Sequence, residues 1–164
     1  MDMAIRSARR DDVPAIVALL ADDPLGRTRE DPGDLSIYLQ AFEEVAAQDG
    51  NQLFVAERDG TVIGCLQLTL IPGLARRGAK RGLIEGVRVA ASCRGRGIGE
   101  RLIRHAIEAS RAAGCGLVQL TSDNARADAH RFYERLGFVA SHVGFKLDIK
   151  SLPVPRRPGG EEVR

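Results

Sequence analysis

Hydrophobic and polar residues follow two different periods along this chain, and these periods predict an alternation of strands and helices. Short runs rich in β-branched and apolar residues predict strands, and apolar residues spaced three or four apart predict helices. The predicted strands are Ala4–Ser7, Leu53–Ala56, Val62–Leu70, Leu83–Val89 and Leu117–Thr121, with one or two closing strands within Phe138–Ile149. The predicted helices begin near Asp11 or Asp12, near Leu35, at Gly97 and at Asn124. This order predicts an α/β domain built on a mixed sheet.

Turn-forming residues separate the predicted elements. Asp59-Gly60 predicts a hairpin turn, and residues 22–34 and 72–82 are predicted loops. Gly114 and Gly137 are expected to end the two later helices. No internal repeat or interior linker interrupts the pattern, so residues 3–150 are expected to form one domain. The tail, residues 151–164, carries three of the seven prolines and is expected to be disordered.

Composition narrows the class of protein. A chain of 164 residues with 44% hydrophobic and 28% charged residues is neither disordered nor fibrous, and it is long enough for one core. Aromatic residues make up 4% and tryptophan is absent, which argues against an aromatic stacking platform for single-stranded nucleic acid.

The residues that a leader, a membrane span or a metal site would need are missing. The first residues show no basic-then-apolar signal pattern. The longest apolar run, Val13–Ala21, is nine residues, well short of the ~20 that a spanning helix needs. Cys65, Cys93 and Cys115 form no C-x-x-C pair, and the three histidines are scattered. We expect a cytoplasmic protein with reduced thiols, without a metal and without membrane association.

The segment Arg94-Gly95-Arg96-Gly97-Ile98-Gly99 carries the clearest chemistry, because it lies between a predicted strand and the start of a predicted helix. Glycines allow a tight turn and a close approach of the backbone to a ligand. Unpaired N–H groups and the helix dipole favour an anion there, and the two arginines match phosphate oxygens. The segment therefore favours a pyrophosphate ligand. The alternative is an ordinary glycine-rich connection with solvated arginines.

Two common nucleotide motifs do not fit this segment. No stretch matches the Walker loop. For the dinucleotide fingerprint, Asp123 stands where a ribose-binding acid would lie, but the glycines run G-x-G-x-G and Glu100 occupies the last glycine position. The remaining ~65 residues also leave little room for a second nucleotide-binding half.

Three motifs in order resemble one family. Arg94-x-x-Gly97-x-Gly99 resembles the R/Q-x-x-G-x-G/A signature of the GNAT superfamily of acetyl-coenzyme A-dependent N-acetyltransferases. The preceding strand, Ile84–Val89, is similar to the splayed central strand of that family. Asn124-Ala125-Arg126 followed by Ala129–Phe138 resembles its N…A-x-x-F-Y-x-x-x-G-F segment. The resemblance is carried by residues 82–140 and extends over 3–150.

The resemblance implies a single-domain fold with a mixed, twisted central sheet, a splayed middle strand and flanking helices. It implies that Val87 and Val89 bind the pantetheine arm through their main chain, and that the Val89 N–H stabilises the oxyanion. The residues implied to bind acetyl-coenzyme A are Val87, Arg88, Val89, Arg94, Gly95, Arg96, Gly97, Ile98, Gly99, Glu100 and Asn124. Asn124 either contacts this co-substrate or caps its helix.

Catalytic roles follow from the same resemblance. Tyr133 is the candidate general acid for the departing thiolate, and the alternative is a core aromatic residue. Glu85 is the first candidate for the base that deprotonates the amine, since strand alternation places it on the same side as Val87 and Val89. The alternative for Glu85 is an ion pair with a neighbouring arginine. His130 and His142 are weaker candidates.

The expected reaction is direct acetyl transfer from acetyl-coenzyme A to a primary amine in a ternary complex. Cys93 lies near the loop, but the sequence offers no base for a covalent route. Two rival functions remain: a non-catalytic acyl-coenzyme A-binding module and a nucleic-acid-binding protein. The acceptor is expected to be a small-molecule amine, with a protein amine as the alternative. Dimers are common in the family, but the sequence does not decide between a monomer and a homodimer.

Charge is unevenly distributed, although the net charge is only +2. Between Arg76 and Arg104 there are nine basic and two acidic residues, a local +7, and the rest of the chain carries −5. We expect the positive part to surround the pyrophosphate loop. Four acids of the first half are candidates for attracting a cationic amine, although a solvated face is the commoner role of such a run. These are Asp22, Asp23, Asp31 and Asp34.

Overall fold

The computed structural model describes residues 3–22 and 26–151, and a five-stranded sheet forms its centre. The strands are β1 (Met3–Ser7), β2 (Asn51–Arg58), β3 (Thr61–Ile71), β4 (Lys80–Val89) and β5 (Cys115–Leu120). They lie in the order β1-β2-β3-β4-β5. Neighbours from β1 to β4 are antiparallel, whereas β4 and β5 are parallel. The predicted single domain on a mixed sheet is therefore confirmed.

Helices pack on both faces of the sheet. They are α1 (Val13–Ala21), α2 (Ser36–Ala46), the single turn α3 (Ala75–Gly78), α4 (Ile98–Ala112) and α5 (Ala127–Arg135). Ile16 and Leu19 of α1 pack with Val55 on one face. Ile98 and Leu102 of α4 pack with Phe54 on the other. Adjacent β2 residues thus enter different clusters, because side chains alternate between the faces of a strand.

The connection between β3 and β4 is shorter than predicted, because β4 begins at Lys80. Within α3, Arg76 and Arg77 adopt left-handed backbone conformations, with φ of 55° and 59°. Leu74 beside them is 98% exposed. This turn lies at the amino-terminal end of β4, away from the glycine-rich loop that follows the carboxyl end of the strand.

A charged network ties the first strand to its neighbours. Arg6 donates to both carboxylate oxygens of Asp12, at 2.7 and 2.9 Å, and to Glu57 of β2. The main-chain N–H of Arg9 also donates to Asp12, at 2.6 Å. The hydrogen bond from Arg6 holds the pKa of buried Asp12 below its usual value, although burial opposes that shift. The network fixes the entry of the chain into α1.

Close packing of α4 on β4 depends on a glycine. A methyl group at Gly82 would overlap the hydroxyl oxygen of Ser110. Ser110 is 1% exposed and donates to the Ala106 carbonyl within α4, at 2.8 Å. The hydroxyl is therefore satisfied by its own helix, and the absence of a side chain at Gly82 lets that helix approach the sheet.

The prediction of closing strands within Phe138–Ile149 is wrong for the described residues. No strand follows β5 in the described part of the chain. Phe138 packs on the core, but the larger apolar side chains after it are exposed, with Phe145 at 94% and Val139 at 80%. The pattern with period two is a local property, whereas a strand requires ladder hydrogen bonds to a neighbour. Ser151 ends a short 3-10 turn, and the expected disorder of residues 152–164 lies outside the described residues.

Candidate active site

The middle of the sheet opens where β4 parts from β5. The two strands pair only between Lys80–Ile84 and Cys115–Leu120. Beyond Ile84, residues Glu85–Val89 continue along β3 alone. A cleft therefore opens at the carboxyl ends of β4 and β5, and the predicted splay of the middle strand is confirmed.

A β-bulge accompanies this separation. Glu85 pairs with Gln67 and Arg88 pairs with Cys65, so β4 contains one more residue than β3 between these pairs. Gly86 accommodates the bulge with a φ of +61°, a value that glycine adopts easily.

The bulge overturns the expected side of Glu85. Residues that pair across a ladder share a face, so Glu85 and Arg88 lie on the face of Cys65, which is the α1 side. Val87 and Val89 pack against the α4 side. The expectation that Glu85 faces the same side as these valines is therefore wrong, because the extra residue shifts the alternation.

Main-chain groups of the splayed strand are left without a strand partner on the side away from β3. The Ala90 N–H donates to Ile63 of β3 at 2.9 Å, and directions alternate along a strand, so Val89 points its N–H away from β3. The Val89 carbonyl accepts from Arg94 Nε at 3.1 Å. The Val87 carbonyl accepts from Arg88 Nη1 at 2.9 Å. These groups are thus accessible to donors other than a sheet neighbour.

The glycine-rich loop leads into α4 with an open backbone. Gly95 and Gly97 have φ of +74° and +76°, and no atom lies within 4 Å of where their side chains would begin. Glu100 turns along the helix to Arg104, at 2.8 Å, and not into the loop. Ile98 is buried in the core, so only its main chain is available to a ligand. The loop can therefore offer N–H groups to an anion without obstruction.

Arg94 and Arg96 lie differently in this loop. Arg94 is held by the main chain, since Nη2 donates to the Asp22 carbonyl at 2.9 Å and Nε donates to Val89. Arg96 is exposed. Five N–H groups belong to a guanidinium, so Arg94 keeps donors for a phosphate while it is held.

Tyr133 lies in an aromatic group at the end of α5. Its ring packs edge-on against Phe132 at 5.1 Å and Phe138 at 5.9 Å between centroids. Phe132 in turn lies beside Gly99 at the start of α4. Burial raises the pKa of the Tyr133 hydroxyl, and the positive charges of Arg126 and Arg88 oppose that rise. The phenol is therefore protonated at neutral pH.

The other candidate residues are exposed or bonded locally. Glu85 is exposed, and no described residue forms an ion pair with it. Asn124 is exposed, and Asp123 accepts the N–H groups of Ala125 and Arg126 at the turn before α5. Arg126 flanks the start of α5 and no side chain of the described residues caps this helix, so the capping role considered for Asn124 is not observed.

The two candidate histidines form bonds to nearby residues. His130 Nε2 lies 2.9 Å from the Asp123 carbonyl. His142 Nδ1 lies 2.7 Å from the hydroxyl of Ser141. Neither bond reaches the splayed part of β4.

The acids of the first-half loop serve local roles among the described residues. Asp31 accepts the Gly33 N–H, and Asp34 accepts from Ser36 at the start of α2. Asp22 accepts the N–H of Ala91 at 3.2 Å, which sequence reasoning did not foresee. Asp23 lies outside the described residues. The three described carboxylates of this set are thus engaged by other groups of the chain.

The basic segment is divided between two ends of β4. Arg76, Arg77, Lys80 and Arg81 lie at the amino-terminal end of the strand or before it, and Arg88 to Arg104 lie at the carboxyl end or beyond. Nine strand steps separate these ends, about 30 Å. The expectation that the whole local +7 surrounds the loop is therefore wrong, because a continuous segment of sequence crosses the full length of the sheet.

Two of the three cysteines are buried. Cys65 is 2% exposed, and burial raises its pKa to about 12. Cys93 is 4% exposed and accepts a hydrogen bond from Arg58 Nη2 at 3.2 Å. Within residues 3–22 and 26–151, no group of three His, Cys, Asp or Glu side chains could hold a metal ion. No helix in the described ranges is long and apolar enough to cross a membrane.

Comparison with known proteins identifies the family. The model of the acetyltransferase (GNAT) family matches residues 13–138, so the chain belongs to this family. It is an amine N-acetyltransferase, and the family uses acetyl-coenzyme A as co-substrate. The rival interpretation as a non-catalytic binding module is therefore set aside.

Named relatives place the chain within the family. A glucosamine 6-phosphate N-acetyltransferase of Trypanosoma brucei brucei is 30% identical over 91% of this chain and 97% of its own length. An aminoalkylphosphonate N-acetyltransferase of Salmonella typhimurium is 29% identical over 86% of this chain and 88% of its own length. A crystal structure of a Bacillus halodurans C-125 protein described as a transcriptional regulator has a TM-score of 0.86 and 45% identity. The structural match covers 90% of this chain and 100% of the Bacillus halodurans chain.

Proposed function

We propose that this protein transfers an acetyl group from acetyl-coenzyme A directly to the primary amine of a small molecule, in a ternary complex. The observation that carries the proposal is the splayed end of β4, where β5 no longer pairs and the Val87 and Val89 carbonyls accept from arginine side chains instead of from a strand. Such a site acts through backbone groups, which is why its side chains can be apolar. Acetyl-coenzyme A supplies the acetyl thioester.

Residues on both sides of the cleft fit this co-substrate. Val87 and Val89 would bind the pantetheine arm by their main chain, and Arg94 to Glu100 would bind the pyrophosphate through open N–H groups and guanidinium donors. Arg88 and Asn124 complete the proposed set. The left-handed Gly95 and Gly97, with free space where a side chain would begin, support a close approach of a ligand to this loop.

Three groups would divide the chemistry of the transfer. The Val89 N–H would donate to the developing oxyanion, because it points into the cleft. Tyr133 would protonate the departing thiolate, and burial keeps its hydroxyl protonated. Glu85 would take the proton of the amine, directly or through water, from the α1 side of the sheet. Its exposure supports access by an acceptor, and His130 or water alone is the alternative base.

The acceptor is proposed to be a small amine that carries a phosphoryl group. The acceptors named for two relatives, glucosamine 6-phosphate and aminoalkylphosphonates, both belong to this class. The amine would be the nucleophile, and the phosphoryl group would provide the charge by which the site selects it.

Calorimetry and a substrate panel test the proposal. Coenzyme A should bind saturably in competition with acetyl-coenzyme A. Glucosamine 6-phosphate, glucosamine, aminomethylphosphonate and a peptide with a free N-terminus are then compared by thiol release. Glucosamine 6-phosphate and aminomethylphosphonate are expected to turn over faster than glucosamine or the peptide. Turnover of the peptide alone would reject a small acceptor, and a failure to bind coenzyme A would reject the function.

A further inference from the structure

A single residue at the end of α1 holds the loop that follows β4. Asp22 ends α1, and its carboxylate accepts the N–H of Ala91 at 3.2 Å. The Asp22 carbonyl accepts from Arg94 Nη2 at 2.9 Å, and the same nitrogen lies 3.6 Å from the carboxylate. Two points of the loop, three residues apart, are thus fixed by a residue about 70 positions earlier in the chain.

A third bond completes the restraint on Arg94. Nε donates to the Val89 carbonyl at 3.1 Å, so the guanidinium spans from the end of β4 to the end of α1. The side chain of Arg94 is 53% exposed and that of Asp22 is 42% exposed. An exposed ion pair contributes little to stability, so the value of this arrangement lies in orientation.

We propose that Asp22 is a positioning residue for the co-substrate, and that it acts by holding Arg94 and the Ala91 end of the loop in the orientation that binds a pyrophosphate. The inference rests on the proposed binding of acetyl-coenzyme A by this loop. An unrestrained arginine loses side-chain entropy on binding a phosphate, whereas Arg94, held by two main-chain carbonyls and lying 3.6 Å from the Asp22 carboxylate, loses less. Only the carboxylate, with its bond to the Ala91 N–H and its contact with Arg94, belongs to the side chain of Asp22, so these are the contacts that a substitution at this position removes.

Asp22→Ala tests this role. The variant should raise the KM for acetyl-coenzyme A about three- to tenfold, the factor of one net hydrogen bond, and should leave kcat within about twofold. Asp22→Asn, which keeps an acceptor oxygen for Ala91, should recover part of the loss. Glu108→Ala is the control, because it removes an exposed ion pair with Arg111 near the other end of α4. It should leave both parameters unchanged.

A truncated donor separates positioning from a general structural effect. S-Acetyl-pantetheine lacks the pyrophosphate, so Asp22→Ala should not change its KM. In an Arg94→Ala background, Asp22→Ala should have a smaller effect on the dissociation constant of coenzyme A, because the contact with Arg94 is already absent and only the bond to the Ala91 N–H remains to be lost. Equal losses with both donors, additive effects in the double variant or an unchanged KM would each overturn the inference. Failure of the unsubstituted protein to bind coenzyme A would instead reject the proposed function, and this inference with it.

Discussion

Individual side chains in this protein take their chemistry from their surroundings. Tyr133 and Tyr38 are the two tyrosines of the chain. Tyr38 is half-buried, and its hydroxyl accepts the Asp31 N–H and donates to Glu30, whereas Tyr133 packs among aromatic rings. The same residue type therefore anchors a loop in one place and offers a protonated phenol beside the cleft in the other.

The proposed acid predicts a kinetic difference between the two tyrosines. Tyr133→Phe should lower kcat on the order of 100-fold, while the KM for acetyl-coenzyme A stays within about twofold. Because the pKa of Tyr133 is raised, this ratio should stay constant from about pH 7 to 9. Thiol release over this pH range measures it. Tyr38→Phe is the matched control and should keep the original kcat. Equal kcat in all three proteins would remove Tyr133 from the mechanism.

The network of Arg6, Asp12 and Glu57 predicts a pH-dependent stability. The folded pKa of Asp12 is lowered, so its contribution is present above the unfolded pKa and is lost as pH falls through the folded value. Asp12→Asn should therefore lower the unfolding free energy by about 2 kcal/mol at pH 7. The difference from the parent should narrow below about pH 4.

Denaturant unfolding at several pH values measures this difference. Glu43→Gln breaks an exposed pair with Arg10, at 3.0 Å, and serves as the control. It should change stability by less than about 0.5 kcal/mol. A difference for Asp12→Asn that stays constant down to pH 3 would contradict the assignment.

At the scale of helices and strands, local sequence patterns are sufficient to predict some features and not others. The periods of the sequence predict β1 to β5 and the long helices, because each pattern reflects burial of one face. The bulge at Gly86 could not be foreseen, since it is defined by the register of β4 against β3. The lack of a strand in Phe138–Ile149 could not be foreseen either, since apolar and polar residues alternate there but no described strand pairs with them. Pairing between elements is a tertiary property.

The contact between β4 and α4 predicts that alanine substitutions at two glycines have different effects on stability. Gly82→Ala should lower the unfolding free energy by about 1–3 kcal/mol, because its methyl group would overlap Ser110. Gly116→Ala on β5 is the control, since its nearest neighbour would lie at an ordinary 3.7 Å. Thermal and denaturant unfolding compare them. Adding Ser110→Ala should recover part of the loss, and equal stability of both glycine variants would refute the packing argument.

At the scale of the whole molecule, the fold distributes charge that the sequence places together. The basic residues from Arg76 to Arg81 and those from Arg88 to Arg104 lie toward opposite ends of β4. A separation of about 30 Å exceeds the Debye length of about 8 Å at physiological salt. Within the second group, Arg101 donates to the Met3 carbonyl of β1, so the basic residues of the splayed strand and its following loop are the ones placed to act on a ligand of the cleft.

Charge reversal at the two ends should give different results. Arg76→Glu with Arg77→Glu should leave the dissociation constant of coenzyme A within about twofold at physiological salt, because the charges are screened. Arg96→Glu should weaken binding about tenfold or more, since it places an acid in the loop. Calorimetry at about 0.15 M ionic strength, where the Debye length is about 8 Å, measures both dissociation constants. Equal weakening by the two changes would show that the ends act as one field.

The sequence alone determined the order of the elements, the glycine-rich loop at the head of a helix and the motifs that mark the family, because these depend on residues close together in the chain. Only the tertiary structure decided which face Glu85 takes, which basic residues lie near the cleft and that Asp22 meets Arg94. Each of these depends on strand register or on contacts between distant segments. Such relations are set by packing and not by local periodicity.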